Sequence, residues 1–294
     1  MKIAHATDIH WFAPPRVTDL TVRRTVGSAN LYLMGRRKQF HPSVQRGLVD
    51  HVLALSPDLF IISGDLTAQA LDSEFALART ELQRVLDAVP TFIVPGNHDL
   101  YTPGAARVCR IQKHFGPWMH EHGPLHRYDD EQHGVTMLGL DPNRPSWFDA
   151  SGSVPKEQLS ALGEVLADPA LQDRFVGLVL HYPIVDRRGA LYDNARHGLR
   201  NARALVEVLA AAPKKPGFVL HGHIHHGYRA TLPGLDVPTF DCGSSGQAWL
   251  PEKGWGAAMN VYDVTDGALA DIERYVHDGE RFVPEEGGAY ASGR

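Results

Sequence analysis

The sequence predicts an α/β fold whose chemistry gathers at strand ends. Three observations carry this. First, five short apolar runs each lead into side chains able to bind metal or move protons: Ile3–Thr7 before Asp8 and His10, Leu59–Ser63 before Gly64 and Asp65, Phe92–Pro95 before Gly96, Asn97, His98 and Asp99, Val176–Leu180 before His181, and Phe218–His221 before Gly222, His223 and His225. Runs rich in Val, Ile, Leu and Phe and bounded by Gly or Pro read as strands buried on both faces, and open α/β sheets carry their chemistry just beyond the carboxyl ends of such strands. Second, stretches of helical period lie between these runs, the alternation of βαβ units. Third, 294 residues that are 43% hydrophobic and 21% charged suffice for a sizeable core, and α/β folds of this length often form one domain. The expected domain is residues 1–284, with residues 285–294 as a Gly-rich, frayed tail.

In chain order, the segment from about 11 to 45 fits neither a simple loop nor a simple strand and reads as an insertion. Between residues 11 and 50 it carries Arg16, Arg23, Arg24, Arg36, Arg37, Lys38 and Arg46 against Asp19 and Asp50, a local net charge of +5 in a chain of −5. Because it follows a site strand, these groups are placed near the mouth of the site, where segment 16–46 would attract an anionic substrate or lipid headgroups at a membrane surface; a solvated helical hairpin is the alternative. Val44, Leu48, Val52 and Leu55 recur at helical spacing up to Ser56-Pro57, and a second helix is predicted from Ser73 to Ala88. Residues 101–131 read as loop with a short amphipathic piece near Arg107–Phe115, and Val135–Leu140 as a strand. Helices are expected over Pro155–Leu166 and Asn201–Ala211. Beyond His225, Tyr228–Leu232, Thr239–Cys242 and Ala257–Tyr262 read as antiparallel strands with turns at Pro233-Gly234 and Asp266-Gly267.

The totals exclude several classes. Two cysteines, Cys109 and Cys242, are too few for a disulfide framework and form no Cys-x-x-Cys pair, which points to a reducing compartment. A net charge of −5 argues against wholesale nucleic-acid coating, and no obligate nucleic-acid partner is expected. No apolar run approaches the ~20 residues that span a bilayer. The N-terminus enters the first strand directly, so no removable signal peptide is expected and the cytoplasm is the expected compartment.

Asp8, His10, Asp65, Asn97, His181, His223 and His225 form a mixed oxygen and imidazole set, suited to Mn, Fe, Zn, Co or Ni rather than to Ca or an iron–sulfur cluster. Seven ligands are too many for one ion. Two divalent ions sharing a bridging carboxylate use them economically, and ions ~3.5–4 Å apart recur in sites for in-line attack on phosphorus. Such ions leave a positive surplus that binds phosphate and lowers the pKa of bound water toward ~7. Glycines 64, 96 and 222 remove side chains where the backbone turns beside the ions.

In this order, Asp8-x-His10, Gly64-Asp65, Gly96-Asn97-His98-Asp99, His181 and Gly222-His223-x-His225 resemble the calcineurin-like metallophosphoesterases, and are similar to the bacterial class III cyclic nucleotide phosphodiesterases. The resemblance spans about residues 1 to 265, and five ordered motifs are more specific than any one. It implies a four-layer α-β-β-α sandwich with two mixed β-sheets, metals at the sheet edge and hydrolysis of a phosphoester or phosphoanhydride. Asp8, His10, Asp65 and His225 would hold one metal; Asp65, Asn97, His181 and His223 the other, with Mn or Fe favoured. His98 would contact the phosphate and protonate the leaving oxygen, a role an imidazole suits near pH 7. Asn97 would contact substrate as well. His181-Tyr182-Pro183 departs from the pattern, since relatives often carry a second histidine before the proline.

Around this set, Asp99 is expected either to orient His98 or to cap the following turn. His5, His221 and His226 are read as structural, because alternation turns His5 and His221 away from the ligands beside them. Arg200 is a candidate bidentate phosphate contact, and Asn143, His197 and Asn201 lie on segments able to rim the site. Tyr101, Trp147 and Trp249 are candidates to stack on a base. The leading reading is a phosphodiesterase acting on a small diester such as a cyclic nucleotide, a metal-bridging hydroxide attacking phosphorus with His98 as general acid. Its alternatives are a pyrophosphatase acting on a nucleotide-linked lipid of the UDP-diacylglucosamine type, which the basic segment would serve, and a non-catalytic scaffold.

Overall fold

The computed structural model describes residues 1–15, 39–100, 109–144 and 149–291. Two mixed β-sheets stack face to face and helices cover the outer face of each. The first sheet runs β13 (Phe282–Pro284), β12 (Ala268–His277), β11 (Ala258–Thr265), β1 (Lys2–Ala6), β2 (Leu59–Ile62), β3 (Thr91–Ile93). The second runs β4 (Glu121–His122), β5 (Leu125–Asp130), β6 (Val135–Gly139), β7 (Phe175–Val179), β8 (Phe218–His221), β10 (Pro238–Asp241), β9 (Tyr228–Thr231). Pairing is parallel from β1 through β3 and from β6 through β8 to β10, so these strands deliver their carboxyl ends to one edge.

The layering follows from side-chain alternation. On β1 and β2, Ile3, Leu59 and Ile61 point between the sheets, where they meet Val135, Met137, Phe175, Phe218 and Phe240. Their neighbours Ala4, Phe60 and Ile62 point outward under α1 (Pro42–Leu55), α2 (Asp72–Ala88) and α3 (Arg110–Met119). The second sheet packs outward against α4 (Lys156–Leu166) and α5 (Ala202–Ala211) through Leu162, Leu166, Leu205 and Leu209. Strands buried on both faces cannot alternate apolar with polar, which is why their sequences are continuous apolar runs.

Local chemistry sets the helix ends. Pro42 opens α1, His41 accepts from the Ser43 N–H at 3.3 Å, and Ser56 ends the helix in the left-handed region at φ 46°. At α2, buried Glu74 folds back to accept from the Gln69 and Leu71 N–H groups at 2.9 and 3.2 Å, satisfying donors that the first turn leaves open.

Three expectations are corrected. Residues 101–131 are not simply loop: β4 and β5 lie within them, pairing along β6 at the edge of the second sheet. Residues 268–277 form a ten-residue strand that the turn at 266–267 only introduces. Residues 285–291, expected to fray, are tied down: Glu285 pairs with Arg274 at 3.0 Å, both buried, and accepts from the Tyr290 N–H at 2.6 Å. Residues 16–38 of the basic segment, with Tyr101 and Trp147, lie outside the described residues.

Candidate metal centre

The turns after β1, β2, β3 and β8 and the second residue after β7, His181, converge at one sheet edge. The β1 turn is pinned to the β2 turn by backbone bonds, Asp8 N–H to Gly64 O and His10 N–H to Asp65 O, both at 3.0 Å. Within these turns Asp8 (φ 52°), His10 (55°), Asp65 (55°), His223 (81°) and His225 (57°) all sit in the left-handed region. None is glycine, and each such residue costs on the order of 1–3 kcal/mol. Five strained residues among seven candidate ligands mark a place where orientation of side chains outweighs backbone comfort.

Those side chains fall into two donor sets sharing Asp65. In the first, one ligand atom from each of Asp8, His10, Asp65 and His225 lies within 4.8 Å of the others. His225 Nε2 is 3.1 Å from both Asp8 Oδ1 and His10 Nε2, and His10 Nε2 is 3.7 Å from a carboxylate oxygen of each aspartate. In the second, His181 Nε2 lies 3.3 Å from Asp65 Oδ2 and 3.1 Å from Asn97 Oδ1, and His223 Nδ1 lies 2.8 Å from the same Asn97 oxygen.

Three imidazoles are oriented by backbone carbonyls. His10 Nδ1 donates to Thr67 O at 3.2 Å, His181 Nδ1 to Ser63 O at 2.9 Å and His223 Nε2 to His197 O at 2.8 Å. In the neutral tautomer each bond leaves the opposite nitrogen as a lone pair aimed into the site. Lone pairs facing one another and facing carboxylate oxygens repel unless a cation lies among them. Asp8 Oδ1 is buried, faces His225 Nε2 at 3.1 Å and accepts no other hydrogen bond among the described residues, which suits an oxygen that would face a metal. Donors ~2.0–2.2 Å from an ion sit roughly 3–3.6 Å from one another, close to the separations found. The residues therefore fit divalent transition ions.

Charge balance agrees. Burial opposes ionisation of Asp8 and Asp65, but the surrounding imidazoles outweigh it and hold both well below the usual carboxylate range. Burial opposes charging of His181 too; Asp65 and Asp8 nevertheless carry it up to about 10, so without metal a proton on His181 offsets carboxylate charge. His223 is pushed down to about 3 by burial and by His181.

His98 stands at the rim. Its N–H donates to Asp65 Oδ1 at 2.8 Å and its Nδ1 pairs with Ala68 O at 2.7 Å, which turns Nε2 away from the backbone. It lines a cavity of about 660 Å³ over the donor sets, with Asp65, Asn97, His197, His223 and His225.

Other candidates are placed differently. The Asp99 carboxylate does not hold the His98 ring: it accepts from the N–H groups of Leu66, Thr67 and Gly96 at 3.2, 2.9 and 3.0 Å and from Thr67 Oγ1 at 3.0 Å, joining the β2 and β3 turns. Burial first, and Asp65 second, raise its pKa to about 7. Arg200 is engaged away from the donor sets, bonding Ser151 Oγ at 2.7 Å, Asp149 Oδ2 at 3.1 Å and Ala195 O at 3.0 Å. Asn143 braces Pro95 O at 2.9 Å, Asn201 caps Val154 N–H at 2.9 Å, and Arg46 of the basic segment pairs with Glu81 at 2.8 Å. Sequence reasoning missed the carbonyls of Ser63, Thr67 and His197, which carry no side-chain signal. It also missed Thr7, whose hydroxyl donates to Asp8 Oδ2 at 2.8 Å.

Comparison with known proteins adds to this geometry. A family model described as calcineurin-like phosphoesterase matches residues 1–227. No curated protein matches the chain. Among solved structures, the fold is similar to the purple acid phosphatase PPD1 of yellow lupin (Lupinus luteus), at 12% identity and a TM-score of 0.62, covering 95% of this chain and 52% of that one. It is also similar to GAP50 of Plasmodium, described as the anchor in the inner membrane complex, at 12% identity and a TM-score of 0.53, covering 98% and 89%. A putative 5'-nucleotidase from Staphylococcus aureus matches at 13% identity and a TM-score of 0.52, covering 96% and 54%. The chain thus spans about half the length of the phosphatase and the nucleotidase. Among the described residues no helix is long and apolar enough to cross a membrane.

Proposed function

Since the chain belongs to the calcineurin-like phosphoesterases, a family of metal-dependent phosphoester hydrolases, we propose that it is a binuclear phosphohydrolase acting on a small phosphodiester, of which a cyclic nucleotide is one. The observation that carries this is the convergence of backbone-oriented imidazoles with Asp8, Asp65 and Asn97 into two donor sets sharing one carboxylate. The fold alone would not, because folds host many functions and a similar one is described as an anchor.

Asp8, His10, Asp65 and His225 would hold one ion, and Asp65, Asn97, His181 and His223 the other, with Mn or Fe favoured by the mixed nitrogen and oxygen donors. Bound there, the ions would polarise a phosphoryl oxygen and supply water of lowered pKa. The protein's own part is orientation and proton delivery. Carbonyls at Ser63, Thr67 and His197 keep three rings in the tautomer that presents a lone pair, at no reorganisation cost when substrate arrives. Ala68 O accepts the Nδ1 proton of His98, so in a protonated ring Nε2–H is the donor that would protonate the leaving oxygen. The 660 Å³ cavity admits a small ester beside Asn97 and His98. We assign the protein to the cytoplasm because its two cysteines are too few for a disulfide framework and form no Cys-x-x-Cys pair.

The test is hydrolysis of bis-p-nitrophenyl phosphate and p-nitrophenyl phosphate in Mn²⁺ and after chelation, for the wild type, Asn97→Ala and His98→Ala. Metal-dependent turnover favouring the diester, abolished in Asn97→Ala and lowered in His98→Ala with metal retained, is expected. Preference for the monoester would overturn the diester assignment, and turnover that survives chelation would overturn the metal mechanism.

A further inference from the structure

Beside the metal centre lies a second cavity of about 450 Å³, bounded by the 249–256 loop, β12 and β13. It shares His225, His226, Gln247 and Trp255 with the cavity over the donor sets, so the two are contiguous. Its volume is that of a small-molecule site. Trp249 and Trp255 supply ring surface to the walls. Trp249 is seated against glycine backbone: a Cβ at Gly256 or Gly279 would meet its ring at 3.0 or 2.8 Å, so the loop and the β12–β13 turn leave room for the indole only because both residues lack one.

The charges select the ligand further. Among the described lining residues stand one guanidinium and three carboxylates, and the guanidinium of Arg274 is buried against Glu285 at 3.0 Å. Asp278 and Glu286 remain exposed, so the cavity carries a negative surplus that opposes a second phosphate. What remains are the indoles of Trp249 and Trp255, the latter with Lys253 Nζ 4.9 Å from its ring centroid, and neutral polar groups. Among these is His277, whose Nδ1 accepts from the Gly279 N–H at 3.1 Å, which leaves Nε2 as the donor position.

From this juxtaposition we infer that the cavity takes the uncharged planar heteroaromatic group, a nucleobase or its like, of an ester whose phosphoryl group sits over Asp65 and Asn97. The inference rests on the phosphohydrolase reading for the second half of that statement; the cavity itself can be tested without turnover. Stacking on an aromatic ring contributes roughly 1–3 kcal/mol per base and tolerates any base, so a phosphate-free nucleoside is a sufficient probe. A doubly phosphorylated lipid fits poorly here, since its second phosphate meets Asp278 and Glu286.

The experiment is calorimetric titration of the full chain with adenosine, ribose and octyl glucoside, with Mn²⁺ and after chelation. Saturable adenosine binding that persists after chelation, with none by ribose, is expected, weakened about tenfold or more in Trp249→Ala. Val276→Phe fills the cavity from β12 and is expected to weaken binding similarly, which guards against a Trp249 variant that folds poorly. No adenosine binding, binding lost on chelation, binding unmoved in both variants, or octyl glucoside bound in preference would each overturn the inference. Turnover of bis-p-nitrophenyl phosphate reports the hydrolase separately: its failure would sink that reading while adenosine still judges the cavity.

Discussion

Gly96→Ala offers the sharpest test of how the β2 and β3 turns build the shared ligand. A Cβ placed at Gly96 would stand 2.2 Å from both Asp65 N and Asp65 Oδ1 and 2.8 Å from Asp65 Cγ. Ordinary contact begins at 3.4 Å, so the shortfall is about 1.2 Å, and it falls on a backbone atom and on the carboxylate assigned to both ions. Neither can rotate aside, because Asp65 Oδ1 already accepts from the His98 N–H at 2.8 Å and the turn is locked through Asp99. Metal–ligand distances tolerate about 0.2 Å, several-fold less than the displacement required. Overpacking of this kind costs about 1–3 kcal/mol in stability, while the loss in metal affinity should be larger, since both donor sets lose their common member. Mn²⁺ stoichiometry and affinity after dialysis, together with a urea denaturation midpoint, measure the two effects apart. Gly116→Ala is the control: it lies on α3, where the nearest atom to a new Cβ is 3.9 Å away. If Gly96→Ala binds two ions with wild-type affinity, the assignment of Asp65 as the shared ligand fails.

Three further perturbations bear on the same architecture. Asp99→Asn places an amide N–H₂ against backbone donors that need an acceptor, and should cost about 2–4 kcal/mol by urea denaturation; stability equal to wild type would show that Asp99 does not join the two turns. His5 is held neutral, its pKa lowered to about 3 by burial first and by His221 second, so above the unfolded value of 6.5 it contributes nothing to pH dependence and below it the unfolded chain takes up a proton the fold refuses. The metal-free protein should therefore lose up to about 1.4 kcal/mol per pH unit from this group as pH falls from 6.5. His5→Gln should flatten the stability–pH slope by one proton, and an unchanged slope would refute the burial argument. Glu285→Ala strands buried Arg274 and should cost about 3–5 kcal/mol, read as a fall in the denaturation midpoint; a loss below about 1 kcal/mol would mean that the guanidinium finds water.

The parts of this fold that were legible share a physical cause. β1, β2, β7 and β8 are buried on both faces, so their sequences had to be unbroken apolar runs, and the donors that follow them had to stand where the runs stop. What escaped reading is partnered on one face or through the backbone. β12 exposes Ala268, Ala270 and Asp271 while burying Arg274 and Tyr275, and β5 carries Arg127, Asp129 and Asp130 among its six residues, so neither reads as a run. Asp99 looked equally able to serve His98 or the next turn because its four partners lie on Leu66, Thr67 and Gly96, three of them main-chain N–H groups with no residue signature. The same holds for Arg200, whose charge and position suggested a phosphate contact until Asp149 and Ser151 were brought to it by folding. The second cavity is the extreme case. Trp249, Gly256, Val276 and Gly279 are spaced along two hairpins with no period, and only the pairing of β11 with β12 sets an indole against glycine backbone beside His225. Ligand identity travels in side chains and can be read along the chain, whereas the shape that selects a substrate here is made by residues defined by what they lack, and that becomes visible only once the strands have paired.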